Sequence, residues 1–211
     1  MRTTPGFSPP VASRAFGYTG VALYEALVAG LPDRNSLAGH LNGFGSPPQP
    51  TPGMDLHWGA VANATLAQVT RRLFPNVSPT NGAAIDALEA SLGATFSAES
   101  DAATLARSAE HGRAVADFVA DWSLNDGAAF GYLTNTSPGY VTPAGPGLWE
   151  PTPPANAPAL QAFWGENRPF VLESGAQCFP GSPPPYSTDP ASAFYQEAVE
   201  VQQTVNAVTP E

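Results

Sequence analysis

Lysine is missing from this chain, and positive charge is scarce altogether: eight arginines face 18 acids, for a net charge of −10. Nucleic-acid binding rests on Lys/Arg contacts to phosphate, so that class is excluded, as is attachment to anionic membrane surfaces. Charged residues make up only 12% of the sequence, against roughly 25% in an average soluble domain. Ala, Gly, Pro, Ser, Thr and Asn fill the gap. No run of 18 apolar residues occurs, so no transmembrane helix is expected, and Met1 to Pro10 has no hydrophobic signal core. The reading is a soluble chain without a visible signal peptide. One cysteine, Cys178, excludes an internal disulfide. Its "QCFPG" setting holds no cation to lower a thiol pKa, so it reads as a small apolar contact.

Strand alternation is absent too, and the apolar residues instead recur with a helical period. Five helices are predicted, with apolar residues 43% of the chain. The first spans about Pro10 to Ala29 and is apolar nearly all round, the mark of a central helix. Its charges, Arg14 and Glu25, fall on one narrow face with Tyr18 between them. They are the candidate buried ion pair, read as structural. The second spans about Leu56 to Phe74, with Trp58, Ala62, Leu66, Val69 and Leu73 on one face. The third runs from about Gly82 to Phe96, with Ile85, Leu88, Leu92 and Phe96. The fourth takes Ser100 as N-cap, carries Leu105, Ala109, Gly112, Val115, Val119 and Trp122, and stops at "LNDG" with Gly127 as C′ residue. The fifth takes Asp189 as N-cap and Pro190 at the first helical position, with Phe194, Ala198, Val201, Val205 and Val208 as its face. The fold class is all-α: a helical bundle with a long irregular Pro/Trp-rich arm before the last helix. Residues 1–130 form the bundle core, 131–188 the arm, and 189–211 the final helix and the start of a further half.

The arm holds half of the 24 prolines. Disordered segments are poor in aromatics, whereas this one carries Tyr132, Tyr140, Trp149, Phe163, Trp164, Phe170, Phe179 and Tyr186. It therefore reads as an extended arm packed across a surface. Trp149, Trp164 and Arg168 stand out in it; Arg168 could clamp an anion or simply stack as structure.

A complete catalytic constellation is lacking. His40, His57 and His111 are too far apart in sequence for a zinc site, and no metal ligands are assigned. His111 reads as a surface or interhelix residue. "LAGHLNGFG" places Ala38 where an activated serine would stand. Asp117, Asp121 and Asp126 share no tight face and read as solvated.

"PPVASRAFGYTGVALYEAL", "LAGHLNGFG", "GYVTPAGPGLWEPTPPANAPALQAFWGENRPFVLES" and "SPPPYSTDPASAFYQEAVEV", in this order, resemble the N-terminal half of bacterial vanadium-dependent haloperoxidase-like proteins of the type 2 phosphatidic acid phosphatase superfamily. The resemblance implies a helical bundle and, in a complete protein, a catalytic half holding vanadate, or phosphate in the phosphatase relatives. The reaction implied is peroxide-dependent halide oxidation, or phosphate-ester hydrolysis. Its Lys-x6-Arg-Pro segment, Ser-Gly-His turn and Arg-x5-His are absent here: "NRPF" lacks the upstream lysine and Ala38 to His40 lacks the serine. No catalytic residue carries over, and no cofactor is expected in this chain itself. Together with the aromatic spacing, the resemblance implies that the arm lies across the bundle and helps form the rim over the active site of the other half, with Trp149, Trp164, Arg168 and Phe170 as its pegs. The closing "TPE" at Thr209 to Glu211 reads as the start of another helix. The partner expected is the missing C-terminal catalytic half, or self-association through apolar helix faces. The competing reading is a free-standing helical interaction module.

Overall fold

The structure, a computed structural model, describes residues 4–208. The Thr209–Glu211 helix start lies outside the described residues. Five α-helices follow in order: α1 Pro9–Val28, α2 Trp58–Leu73, α3 Pro79–Phe96, α4 Ala102–Ser123 and α5 Ala193–Ala207, with a 3₁₀ turn at Trp164–Glu166. Among the described residues there is no strand, only one antiparallel bridge, Thr136 to Leu160, inside the arm. No helix there is long and apolar enough to cross a membrane.

Four of the five α-helices begin where a polar side chain meets the orphan N–H groups of the first turn, while α1 opens on Pro9 and Pro10 without such a bond from Ser8. His57 does this for α2 through Nδ1, which accepts from Ala60 N at 3.0 Å. Ser78 precedes Pro79, the first residue of α3, so that helix opens three residues before the predicted Gly82. In α4 the cap is Asp101 rather than Ser100: its carboxylate accepts from Ala103 N and Thr104 N at 2.9 and 3.0 Å. The Thr104 hydroxyl, followed by these backbone bonds, holds its pKa below the usual carboxylate value. In α5 the cap is Ser192 rather than Asp189, because Asp189 accepts from Ala191 N at 2.9 Å and closes a separate turn first.

The core forms where α2 packs along α4, with α1 laid across both and α3 on the outer side of α2. Val61, Val69, Val115, Val119 and Tyr18 are fully enclosed at 0% exposure. The expectation of a central α1 is corrected. Val11, Ala15, Tyr18, Ala22 and Ala26 are buried, while Phe16 on the opposite face is 52% exposed. The predicted apolar stripes of α3 and α5 are real, yet neither helix has a buried residue. Leu88 is 61% exposed, and Val201 and Val205 are 64% exposed.

At its start the arm meets the segment before α1, where Asn135 Nδ2 donates to Gly6 O at 2.7 Å and Asn135 Oδ1 accepts from Ser8 Oγ; further on it is tied down around Phe170. Asn42 N donates to Phe170 O at 2.8 Å, and Asn42 Nδ2 donates to Pro169 O at 3.0 Å and Leu172 O at 2.7 Å. Much of the remaining arm is exposed, and Cys178 within it is exposed rather than packed.

Candidate functional site

At the point where the arm is tied down, one charged cluster joins α1, the turn after α4, and the arm. Its centre is Asp126, 5% exposed, in the turn that ends α4. Arg14 Nε donates to Asp126 Oδ2 at 2.5 Å, and Arg14 Nη2 donates to Oδ1 at 3.2 Å. Tyr18 Oη donates to Oδ2 at 2.9 Å, and Ala128 N donates to Oδ1 at 2.8 Å. Four donors on two oxygens use up the acceptor capacity of a carboxylate. The carboxylate therefore has no lone pair left to take a proton from a substrate.

Arg168 brings in the arm. Its backbone N donates to Asp126 O at 2.8 Å, and its Nη2 donates to Tyr18 Oη at 3.1 Å and Trp122 O at 3.0 Å. Its guanidinium lies 4.5 Å above the Trp122 ring. Phe170 packs edge-on against Tyr18, centroids 4.9 Å apart, and tilted against Trp122 at 5.3 Å. Beside these groups is an open cavity of about 440 Å³, whose wall includes Arg14, Gly17, Asp126, Trp164, Arg168 and Phe170.

Burial and the adjacent Asp126 charge push the Tyr18 pKa up from 10.0 to about 12. The folded state thus keeps this proton to a higher pH than the unfolded chain does. Stability contributed by Tyr18 is present below pH 10 and is lost as pH rises through about 12. The loss is expected to reach about 2–3 kcal/mol over those two units. Urea unfolding at pH 9 to 12 checks it: Tyr18→Phe lacks this titration, and its alkaline slope should be shallower than that of the unaltered chain.

The structure brings together three of the four candidate arm residues, Trp164, Arg168 and Phe170. Trp149 is 48% exposed and lines a separate hollow with Tyr140 and Pro153. The Arg14–Glu25 pair is corrected. Both side chains do lie on the inner face of α1, but eleven residues at about 1.5 Å each separate them by roughly 16 Å along the axis. Glu25, also buried, instead accepts from Ser36 Oγ at 2.8 Å and Leu37 N at 2.5 Å, and so anchors the next loop. The solvated reading of Asp126 is likewise overturned. Asp117 and Asp121 do lie outside, both paired to Arg72. The one local signal for Asp126 was its place before Gly127 and Ala128, where an aspartate folds back onto the N–H two residues on.

The histidines are dispersed. His40 is exposed. His57 caps α2, and its Nε2 lies 2.9 Å from Glu99 Oε2. His111 is buried between helices, and burial holds its pKa down. Among the described residues no group of three or more His, Cys, Asp or Glu side chains could hold a metal ion. A vanadate or phosphate cage needs several cationic donors turned on one oxyanion. Arg14 and Arg168 instead donate to Asp126, Tyr18 and main-chain carbonyls, leaving the buried Arg168 Nε without a partner. Arg71 is paired with Asp86 and Glu89, and Arg72 with Asp117 and Asp121. The residues described here do not fit an oxyanion cofactor. The cluster is a clamp between arm and bundle.

No protein-family model and no curated protein matches the chain. A solved structure does: that of the first bacterial vanadium-dependent iodoperoxidase, with 36% sequence identity and a TM-score of 0.77. The likeness covers 96% of this chain and 46% of that one. Over nearly its whole length the chain is vanadium haloperoxidase-like, and it spans about half of the enzyme it matches.

Proposed function

We propose that the chain is the non-catalytic, N-terminal helical half of a vanadium-dependent haloperoxidase. In the complete protein, residues of the other half hold vanadate, which supplies peroxide-dependent halide oxidation. This half contributes the scaffold and, through Trp164, Arg168 and Phe170, a rim beside the site. The observation that carries the reading is the match along 96% of this chain to 46% of an iodoperoxidase. Exposed surface supports it. The chain exposes 13337 Å², whereas a compact monomer of 21.8 kDa exposes about 9,300 Å². The excess of roughly 4,000 Å² is more than one side of a large obligate interface. An extracytoplasmic home belongs to the same proposal and is read by fractionating the source cells.

The test is the intact mass and activity of the protein as its source makes it. The expected result is a polypeptide or complex well above 21.8 kDa that oxidises iodide with peroxide. That activity should be lost on removing vanadate and restored by adding it back. A species of 21.8 kDa without such activity, or one that hydrolyses phosphate monoesters instead, overturns the reading.

A further inference from the structure

The arm and α5 form one surface of unusual chemistry. Six acids stand exposed on it: Glu150, Glu166, Glu173, Asp189, Glu197 and Glu200. Among the described residues none of the six is in an ion pair, and the only cation in this stretch, Arg168, is turned inward onto Tyr18 and Trp122. Elsewhere three arginines are paired: Arg14 with Asp126, Arg71 with Asp86 and Glu89, Arg72 with Asp117 and Asp121. Residues 1–130 carry seven arginines against eleven acids, whereas residues 131–211 carry one against seven, so −6 of the net charge of −10 falls in this stretch.

Large exposed apolar side chains alternate with these acids along the sequence. Val171 and Phe179 of the arm are 66% and 68% exposed. On α5, Phe194, Ala198, Val201, Val205 and Val208 make one stripe, with Glu197 at its border. Phe194 stacks edge-on with Tyr186 of the arm at 5.3 Å, so stripe and arm are continuous. A helix of 15 residues with three valines and no buried residue has too little propensity to persist alone, since isolated helices of about 12–15 residues are marginal even when rich in alanine. Something must cover it.

Charge chooses between the candidate occupants. A second copy would place the same unpaired acids against themselves, and like charges across an interface are penalised. We infer that the arm and α5 form a docking surface for a basic helical partner with its own apolar stripe, α5 completing that partner's core. This rests on the reading above, in which the partner is the other half of the enzyme, and adds its chemistry and the elements it seizes.

Hydrogen exchange of the whole 211-residue chain tests the inference, with synthetic amphipathic helices as probes: one of Leu and Lys, the other of Leu and Glu in the same pattern. Alone, the amides of α5 should exchange close to the unprotected rate while those of α1, α2 and α4 are protected. The Leu/Lys helix should slow α5 exchange at least tenfold, less so as salt is raised. The Leu/Glu helix should leave it unchanged. Val201→Lys with Val205→Lys should remove the effect and leave the protection of α1, α2 and α4 intact. Protection of α5 that grows with chain concentration alone would assign the surface to a second copy and overturn the inference. So would an equal response to both probes, or persistence of the effect in the double variant. The mass and iodide-oxidation measurement is independent. Its failure with a positive probe result removes the enzyme reading and leaves a basic partner; the reverse removes only the partner chemistry.

Discussion

Replacing Asp126 by alanine is expected to lower unfolding free energy by about 3–5 kcal/mol, the usual consequence of removing one partner from a buried ion pair. For a chain of this size that is a fall of roughly 10–15 °C in melting temperature. The carboxylate answers four donors at once, and three of them have no obvious second acceptor. Arg14 keeps only the Ser123 carbonyl and the Tyr18 face, the Tyr18 hydroxyl loses the acceptor of its proton, and Ala128 N–H is left buried without a partner. Asp126→Asn preserves the shape but replaces one acceptor oxygen with a donor and removes the charge, so it should fall between alanine and the unaltered chain. Arg14→Ala combined with Asp126→Ala should cost much less than the two single losses added, because the orphaned guanidinium is then gone. Calorimetry of the four proteins checks the set. Additive losses would mean that Arg14 and Asp126 do not act as a pair.

How much of this clamp was legible in the sequence depends on distance along the chain. The helices themselves were readable, because Leu105 to Trp122 and Trp58 to Leu73 repeat apolar residues at the helical period. Cap positions slipped where two polar residues compete for one role, as Ser100 and Asp101 do, and Asp189 and Ser192. The stripes of α3 and α5 were readable as stripes but not as buried or bare, since periodicity says that a face is apolar and not what lies against it. Asp126 was missed for a different reason. Its partners Arg14 and Tyr18 lie 112 and 108 residues upstream, and nothing local to "LNDGA" reports them. Arg14 and Glu25 illustrate the converse. A helical wheel put them correctly on one face but collapses the axis along which they are far apart. In the arm, ring spacing suggested four pegs, yet Trp149 is held apart from Trp164, Arg168 and Phe170 by the path of the prolines between them.

Gly112 is where a single added side chain should do the most harm. It lies in α4 against α2, and a Cβ there would meet Val61 O at 2.5 Å, Thr65 Oγ1 at 2.8 Å and Thr65 N at 3.2 Å. Two of these are backbone atoms, and the third is fixed by its bonds to Val61 O and Gly112 O at 2.7 and 3.2 Å. None is the loose end of a side chain that could swing aside, so the helices must part. Gly112→Ala should therefore destabilise by about 1–3 kcal/mol of overpacking, offset by up to about 1 kcal/mol of improved helix propensity. Gly112→Leu needs a gap several ångströms wide through the layer of Val61, Val115 and Val119. It should lose more than about 4 kcal/mol, most of the stability a domain of this kind has. Gly93 is the matched control. It is also within a helix, α3, but a Cβ there meets nothing within 4 Å, so Gly93→Ala should gain about 0.5–1 kcal/mol from propensity alone. Opposite signs for the two alanine variants in urea unfolding are the signature of tight α2–α4 contact. A gain at both sites would mean that these helices stand further apart, and that the bundle derives its stability from somewhere other than this seam.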